Sequence, residues 1–452
     1  MSASPEATAG AASSPGSSAR TGFTLAVLFG LNFMNFYDRQ VIGAVGEKIR
    51  QEWSLTDSQL ASLTTAFVLL YALVGIPFGR LADTGRRRVI LAGGVAVWSL
   101  FTALSGAAGS FVAHFCCRMG VGVGEASLAP AANALIADLV PAHRRARAIS
   151  IFMLGLPLGL GASYLVSGMV AQATGGWRPA LYVAAVPGFV LAVLALCIRE
   201  AAPGHVEAGP GVVAPGEGTW QVVQTLLRIP SLRWIILSGA LLNLVLYAVS
   251  AFSTSLYIRY HGLDIEHANR WNALVFGGGG GLGMLLGGWL GDRAGRHGPA
   301  GRLRLVAAGA AIATPLFWFA VSQPRGAAAG YGLLLFGGVV AIYPYYSTTY
   351  AAIHDLVPAR MRGTAMSVYF FVFYLFTAIG LLLFGRLSDA MAARALAAGA
   401  TAAEGSATGL HDAMVVIPWF CAVLVAVLVL AARAAARETA PPPRAGARSP
   451  GP

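Results

Sequence analysis

Arg118-Met-Gly-Val-Gly-Val-Gly-Glu125 is the stretch that decides the fold. It sits inside an apolar run from Phe111 to about Val140. A helix rises ~1.5 Å per residue and bilayer hydrocarbon is ~30 Å thick, so ~20 residues suffice to cross. An ionised side chain in such a run costs roughly 2.5–3.5 kcal/mol on insertion scales. Arg118 and Glu125 are two helical turns apart and share a face. Gly122 and Gly124 thin the helix between them and admit a neighbouring backbone. The pair reads as the charged lining of a central, water-accessible cavity. A fixed ion pair locking two helices is the alternative.

The composition agrees. Of 452 residues, 56% are hydrophobic and only 11% charged, and mean hydropathy is +0.67. A soluble domain of this size does not have these values, so the chain is an all-α membrane protein. The formal charge of +12 does not imply a nucleic-acid partner, because the excess lies in loops between apolar runs. Cys116, Cys117, Cys197 and Cys421 fall inside those runs without metal-ligand spacing, and packing is their expected role. No metal and no cofactor is expected. Arginine replaces lysine everywhere except Lys48, and alanine and glycine abound. This points to a GC-rich bacterial genome and so to a bacterial inner membrane.

Twelve apolar segments are predicted, at roughly 22–45, 58–79, 88–108, 111–140, 147–172, 177–198, 231–258, 268–291, 303–322, 327–356, 363–390 and 411–433. They group into a six-helix bundle over 22–198 and a second over 231–434. Disordered cytoplasmic tails are expected at 1–21 and 435–452, the first Ala/Ser/Gly/Pro-rich and unlike a signal peptide. Residues 199–230 form a cytoplasmic linker, flexible at first and then amphipathic over Trp220–Arg228, which is expected to lie along the membrane surface. With the amino terminus inside, cytoplasmic tails and loops hold 21 of the 31 Lys+Arg and the opposite side 8. Both termini are therefore expected in the cytoplasm.

An internal repeat supports two pseudo-symmetric halves. Ile136-Ala-Asp-Leu-Val-Pro-Ala-His-Arg-Arg-Ala-Arg-Ala-Ile-Ser150 matches Ile353-His-Asp-Leu-Val-Pro-Ala-Arg-Met-Arg-Gly-Thr-Ala-Met-Ser367. Gly79-Arg-Leu-Ala-Asp-Thr-Gly-Arg86 is echoed by Gly288-Trp-Leu-Gly-Asp-Arg-Ala-Gly-Arg296. Parallel repeats of this kind build one large transporter class.

The residues resemble a known family. Gly79-Arg-Leu-Ala-Asp-Thr-Gly-Arg-Arg-Arg88 resembles the signature loop of the major facilitator superfamily, and Arg118-x-x-x-Gly122-x-Gly124 its fourth-helix motif. Asn35-Phe-Tyr-Asp-Arg39, Gly122-Val-Gly-Glu-Ala-Ser127 and Ile151-Phe-Met-Leu-Gly-Leu-Pro-Leu-Gly-Leu-Gly161 are similar to the spinster group. The resemblance implies twelve transmembrane helices in two six-helix bundles that rock about a midplane site. It also implies that Asp83 meets the amino-terminal end of the eleventh helix, where partial positive charge resides. Arg86 to Arg88 would pair with Asp138. These contacts would latch the cytoplasmic side shut, and Asp292 and Arg296 are candidates for the matching contact in the other half. Simple interfacial anchoring is the alternative for all of them.

Four charged groups stand out in the spans. Asp38 and Arg39 lie ~24 Å along the first span and Glu125 ~21 Å from the inner end of the fourth, at ~1.5 Å per residue. Pairings of Arg39 with Glu125 and of Asp38 with Arg118 are geometrically possible. Burial disfavours a carboxylate's charged form and a nearby arginine restores it. A carboxylate whose arginine is borrowed by an anionic substrate could take up a proton. The spinster resemblance implies that proton-coupling role for Asp38 and Glu125. Arg39 and Arg118 would hold a phosphate or carboxylate on their planar forks. Two fixed salt bridges are the competing reading.

Asn243 and Tyr247 share a face of the seventh span and could touch substrate. His114 is expected at an interface, and Arg386 with Asp389 as an outer-gate or interface pair. The second half is rich in aromatics, among which Tyr345 and Tyr369 are expected to line the cavity. Gly277–Gly288 resembles a nucleotide loop only superficially, since it follows no strand and lacks Lys-Ser/Thr; close helix packing or a bend is expected there.

One charged half facing one aromatic half suits an amphiphile with an anionic head. The resemblance implies lysophospholipid or sphingoid-phosphate transport, coupled to protons. The partners expected are therefore a small-molecule or lipid substrate, protons and membrane lipids, with the chain a monomer. Rival readings are an exporter of drug-like solutes, which Gly155-Leu-Pro-Leu-Gly-Leu-Gly161 partly supports, and an organic-anion symporter. No nucleophile–base pair marks an enzyme, the longest loop is too short for a receptor domain, and no P-loop supports ATP-driven transport.

Overall fold

The computed structural model describes residues 15–84, 86–140, 142–198, 219–358 and 361–439. The expected tail before residue 15, the flexible linker over 199–218 and the tail beyond 439 lie outside the described residues. All regular structure within them is helical. The first three spans are α1 (Pro15–Trp53), α2 (Asp57–Thr84) and α3 (Arg87–Ala107). The fourth is broken into α4 (Phe111–Glu125) and α5 (Leu128–Leu139), the fifth into α6 (Ala142–Met153) and α7 (Gly155–Thr174), and α8 (Arg178–Leu196) is the sixth. After α9 (Thr219–Leu227) comes the seventh span, α10 (Pro230–Arg259). The eighth runs through α11 (Ile265–Asn272), a π-helical stretch (Ala273–Gly279) and α12 (Gly280–Gly295). There follow α13 (Gly298–Val321), α14 (Ala328–Ile342) with α15 (Pro344–Leu356), α16 (Arg362–Ala397), and α17 (Ala402–Met414) with α18 (Ile417–Glu438).

Ten of these spans are long and apolar enough to cross a membrane by composition alone. The two expected spans missing from that set are the first and the fourth. They are the ones that carry Asp38, Arg39, Arg118 and Glu125. The break in the fourth falls at Ala126–Ser127 and that in the tenth at Tyr343. The offset of 217 residues that relates Ile136 to Ile353 also carries Ala126 onto Tyr343. The repeat thus extends from sequence to the position of a helix break. Pro344 accounts for the second break, because it cannot supply an amide to the preceding turn.

Glycine sets the distances around the charged helix. A Cβ on Gly122 would stand 2.6 Å from the Phe67 carbonyl oxygen of α2. One on Gly124 would stand 2.6 Å from the Trp98 amide of α3. Helix α4 therefore lies backbone-to-backbone against two neighbours, as small residues permit. The glycine run of the eighth span works likewise between the halves. Gly277 in the π-helical stretch meets Gly161 of α7, where an added Cβ would come within 2.8 Å of the opposing Cα. Both expectations for that run, a close approach and a distortion, are met. Helix α9 turns Val222 and Leu226 into the core beside α10 and α16, and leaves Leu227 exposed.

The face bearing the start of α1 and the end of α18 is called here the terminal face; the opposite one is the far face. The far face is closed by contacts between halves. Arg259, at the end of α10, reaches Glu47 of α1 at 2.7 Å and Asp57 of α2 at 2.8 Å, with all three side chains buried. Ser388 of α16 donates to Asp57 at 2.6 Å. Asp389 accepts from the Asp57 and Ser58 amides at 2.8 and 3.0 Å. A carboxylate on the first amides of a helix satisfies orphan donors and meets the positive end of the helix dipole. Asp389 thus holds α2 rather than Arg386, which is exposed. Deeper in, Gln40 and Tyr164 both donate to the Ser250 carbonyl of α10, at 3.3 and 2.6 Å.

Arg259→Gln leaves Glu47 and Asp57 as facing carboxylates across the closure. Labelling of a cysteine at Ser250, in a background lacking the four native cysteines, should then rise on the order of tenfold from the far face. Unchanged labelling would show that the closure does not depend on this network.

Glu52, at the far-face end of α1, accepts from Arg178 at 2.8 Å on each oxygen and from the Trp177 indole at 2.7 Å. The Arg178 hydrogen bonds hold its carboxyl below the ordinary value, against the opposing effect of burial. A carboxyl lowered by folding adds stability above its unfolded value, and that stability disappears as pH falls through the folded value. Thermal unfolding of Glu52→Gln against wild type should therefore differ at neutral pH and converge below the ordinary glutamate range.

Candidate functional site

In the terminal half of the molecule a cavity of about 1320 Å³, partly open to solvent, lies between the two bundles. From the first half, Asn32, Asn35, Phe36 and Arg39 of α1 line it, with Tyr71 and Gly75 of α2. The second half contributes Asn243 and Tyr247 of α10, Tyr346 and Tyr350 of α15, and Phe370, Phe371, Phe373 and Tyr374 of α16. A smaller space of about 670 Å³ lies on its far-face side. Phe36, Arg39, Leu156, Tyr247 and Tyr346 border both and form the partition.

Arg39 is the centre of the wall. Its Nε donates to Glu125 Oε2 at 2.8 Å. Its Nη1 donates to the Tyr374 hydroxyl of the other half at 3.3 Å. The guanidinium carbon stands 4.3 Å from the centroid of Tyr71, 5.1 Å from Phe36 and 5.4 Å from Phe67. Ring faces attract a cation, and so help hold it in place. Glu125 is fully buried, and its Oε1 has no hydrogen-bond partner in the protein. Glu125 is the last residue of α4 and stands beside the helix break.

The expected second pair does not form. Asp38 and Arg118 are each 1% exposed. Both Asp38 oxygens, and Nε and Nη1 of Arg118, lack a protein hydrogen-bond partner. Successive residues on a helix diverge by ~100°, so Arg39 faces the cavity while Asp38 points into the first bundle. Arg118 stacks 5.2 Å from the Phe67 ring, on which Arg39 also leans. Three of the four groups thus gather around Phe67 and Glu125, while Asp38 stands behind them.

Asn243 and Tyr247 line the cavity, and Asn243 also donates to Thr377. Tyr345 and Tyr369 do not line it. They are buried behind the wall, at 1% and 0% exposure, with Tyr345 bonded to Ser238 at 2.7 Å and accepting from Tyr369 at 3.4 Å. Helix α15 restarts at Pro344, which turns Tyr346 and Tyr350, four apart, toward the cavity and Tyr345 away. Asp292 and Arg296 are exposed at the end of α12. Arg302, one turn into α13, meets Asp355 at 3.3 Å. Asp355 is the repeat partner of Asp138. The side chains of Asp83 and Asp138 lie outside the described residues; Arg86 is exposed, and Arg87 is half-buried and partnered. His114, in the first turn of α4, is fully buried, its Nδ1 3.0 Å from the Ser105 carbonyl oxygen.

Sequence reading missed the partners of Arg39 in α2 and the Arg259 closure. Tyr71 and Phe67 look like ordinary apolar residues of a span. Arg259, Glu47 and Asp57 look like ordinary residues at helix ends. Nothing in their spacing reveals that they meet.

A cavity between two repeat-related helical bundles, closed on one face and walled at mid-depth by a buried ion pair, defines a membrane transporter. The Major Facilitator Superfamily profile matches residues 28–380, and the chain belongs to that superfamily. Within it the chain resembles the spinster group. It is 30% identical over 367 residues to mouse protein spinster homolog 1, across 75% of this chain and 67% of that one. It is also 30% identical over 363 residues to an MFS-type efflux pump of Mycolicibacterium smegmatis, across 79% and 82%. The structure superposes with a TM-score of 0.81 and 26% identity on a bacterial homolog of the human lysosomal transporter Spinster, in an inward-facing, unoccupied conformation. That match covers 96% of this chain and 100% of the other.

Removing Glu125 alone strands the Arg39 cation in a buried site. Glu125→Ala should cost about 3–5 kcal/mol of stability, and the double change Arg39→Met/Glu125→Leu should recover most of it. Thermal unfolding of the purified variants checks both. A double variant as unstable as the single one would contradict the assignment.

Proposed function

We propose that the chain is a proton-coupled secondary active transporter that works by alternating access on an anionic amphiphile, such as a lysophospholipid or sphingoid phosphate. The observation that carries this reading is Arg39, bonded to Glu125 of one half and to Tyr374 of the other. An anionic headgroup entering the cavity competes with Glu125 for the guanidinium fork. Glu125, deprived of its cation in a dry site, takes up a proton. Asp38 and Arg118, without hydrogen-bonded partners behind it, are the reserve acid and cation for that exchange. Asn243 and Tyr247 would contact the polar part of the substrate, and Tyr346, Tyr350 and Phe370 its apolar part. Tyr345 and Tyr369 support that wall from behind.

Proton uptake removes the charge attraction that ties α1 to α4, and headgroup binding ties Arg39 to the opposite bundle. Both changes favour rocking of the halves and release of the Arg259 closure. The terminal face is then the cytoplasmic one, in line with the arginine distribution. Asp83 with Arg86, Arg87 and Asp138 would close it in the alternate state. A bacterial inner membrane and a monomeric transport unit complete the reading. Similarity to an efflux pump supports a second reading, export of drug-like solutes, with the same wall accepting a broader range of apolar bodies.

Liposomes with an imposed pH gradient test the coupling. Wild type should carry a fluorescent lysophospholipid at a rate set by the gradient, while Glu125→Gln binds it but loses gradient dependence. Proton dependence unchanged in Glu125→Gln would overturn the coupling role. Transport of a drug-like cation in preference to the lysolipid would favour the second reading.

A further inference from the structure

A second groove lies on the outside of the carboxyl-terminal bundle, remote from the central cavity, between α13 and α18. It is a shallow, open groove with about 780 Å³ of space over it, part of that open solvent. Arg304, Ala307, Ala308 and Ala311 of α13 form one wall. Their spacing of three, four and seven residues puts them on one helical face. Val425, Val429, Ala432 and Arg433 of α18, offset by four, seven and eight residues, form the other.

The two helices run antiparallel. Arg304 lies six residues after the start of α13 and Arg433 five before the end of α18, so both stand ~8–9 Å in from the terminal face at ~1.5 Å per residue. The groove therefore has two cations at one depth and only Ala and Val beyond them. Both arginines are exposed. Neither has an acidic partner within 4.0 Å among the described residues. Nearby Arg302 is paired with Asp355, which leaves that acid engaged.

We propose that this groove is a binding site for an anionic phospholipid of the terminal-face leaflet. The two guanidiniums take the phosphodiester from either side, and an acyl chain lies along the alanine floor. Three features select this occupant. A pair of exposed cations at headgroup depth needs an anion. Guanidinium forks match phosphate oxygens. The alanines leave room that larger side chains would fill, and that room runs toward the hydrocarbon. A soluble anion would leave the apolar floor unused, and a zwitterionic headgroup would bring its own cation against the arginines. The site is independent of the transport reading.

Native mass spectrometry and thermal unfolding of the full chain in detergent test it. The probes are phosphatidylglycerol and phosphatidylcholine of identical acyl chains, with inorganic phosphate as the headgroup-free arm. Wild type should retain one phosphatidylglycerol through delipidation and unfold at higher temperature with it, and should not respond to phosphate alone. Arg304→Gln/Arg433→Gln should lower the preference for phosphatidylglycerol by roughly 30-fold. Both positions are exposed, so the variant should fold, and the unliganded unfolding temperature verifies that. Arg325→Gln, at the far face, should keep the preference. Equal retention of both lipids by wild type, an unchanged preference in the double variant, or the same stabilisation by inorganic phosphate would overturn the proposal. So would a dimer that the double variant abolishes.

Discussion

One buried charge pair organises this protein. In a medium that cannot solvate ions, Arg39 and Glu125 each make the other tolerable, and neither can be removed alone without leaving an uncompensated charge. The pair fixes the depth at which the first and fourth spans meet. Among the described residues, its two spans, the first and the fourth, are also the two that do not stand out as apolar crossing helices. Close approach follows from it: glycines at 122 and 124 bring α4 against α2 and α3, and so bring Glu125 within 2.8 Å of Arg39.

The rest of the architecture distributes that interaction between two states. Tyr374 joins the pair to the other half, so any change in the pair is felt across the cavity. At the far face a second charge network, Arg259 with Glu47 and Asp57, holds the halves together where the central cavity ends. Asp389 on the amides of α2 strengthens the same closure. Between them Gly161 and Gly277 touch backbone to backbone, a contact with no side chain to interlock. A bare backbone contact in the middle and breakable polar contacts at one end suit two bodies that rock rather than separate.

The chain's two halves diverged in what they place at the same fold position. The repeat offset that superposes the breaks in the fourth and tenth spans puts Glu125 of one half opposite Ile342 of the other. The first half carries buried charge at the cavity and the second half aromatic surface. The resulting cavity has a polar wall and an apolar wall, and the break at Tyr343 turns Tyr346 and Tyr350 toward it.

Composition, hydropathy and the repeat by themselves determined a helical membrane protein in two related halves, because burial in lipid forces apolar length and a duplicated chain keeps its loop motifs. They also led to the expectation that Asp38, Arg39, Arg118 and Glu125 would meet in two pairs, since ions in hydrocarbon must find one another or water; of the two, the Arg39–Glu125 hydrogen bond forms. Tertiary structure alone decided which partners they took. Helical period put Arg39 on the cavity and Asp38 inside the first bundle, and a proline restart put Tyr345 behind the wall that Tyr346 lines. Packing of spans distant in sequence brought Arg259 to Glu47 and Asp57. Contacts of this last kind depend on which helices are neighbours and at what rotation, and no local pattern of residues encodes that.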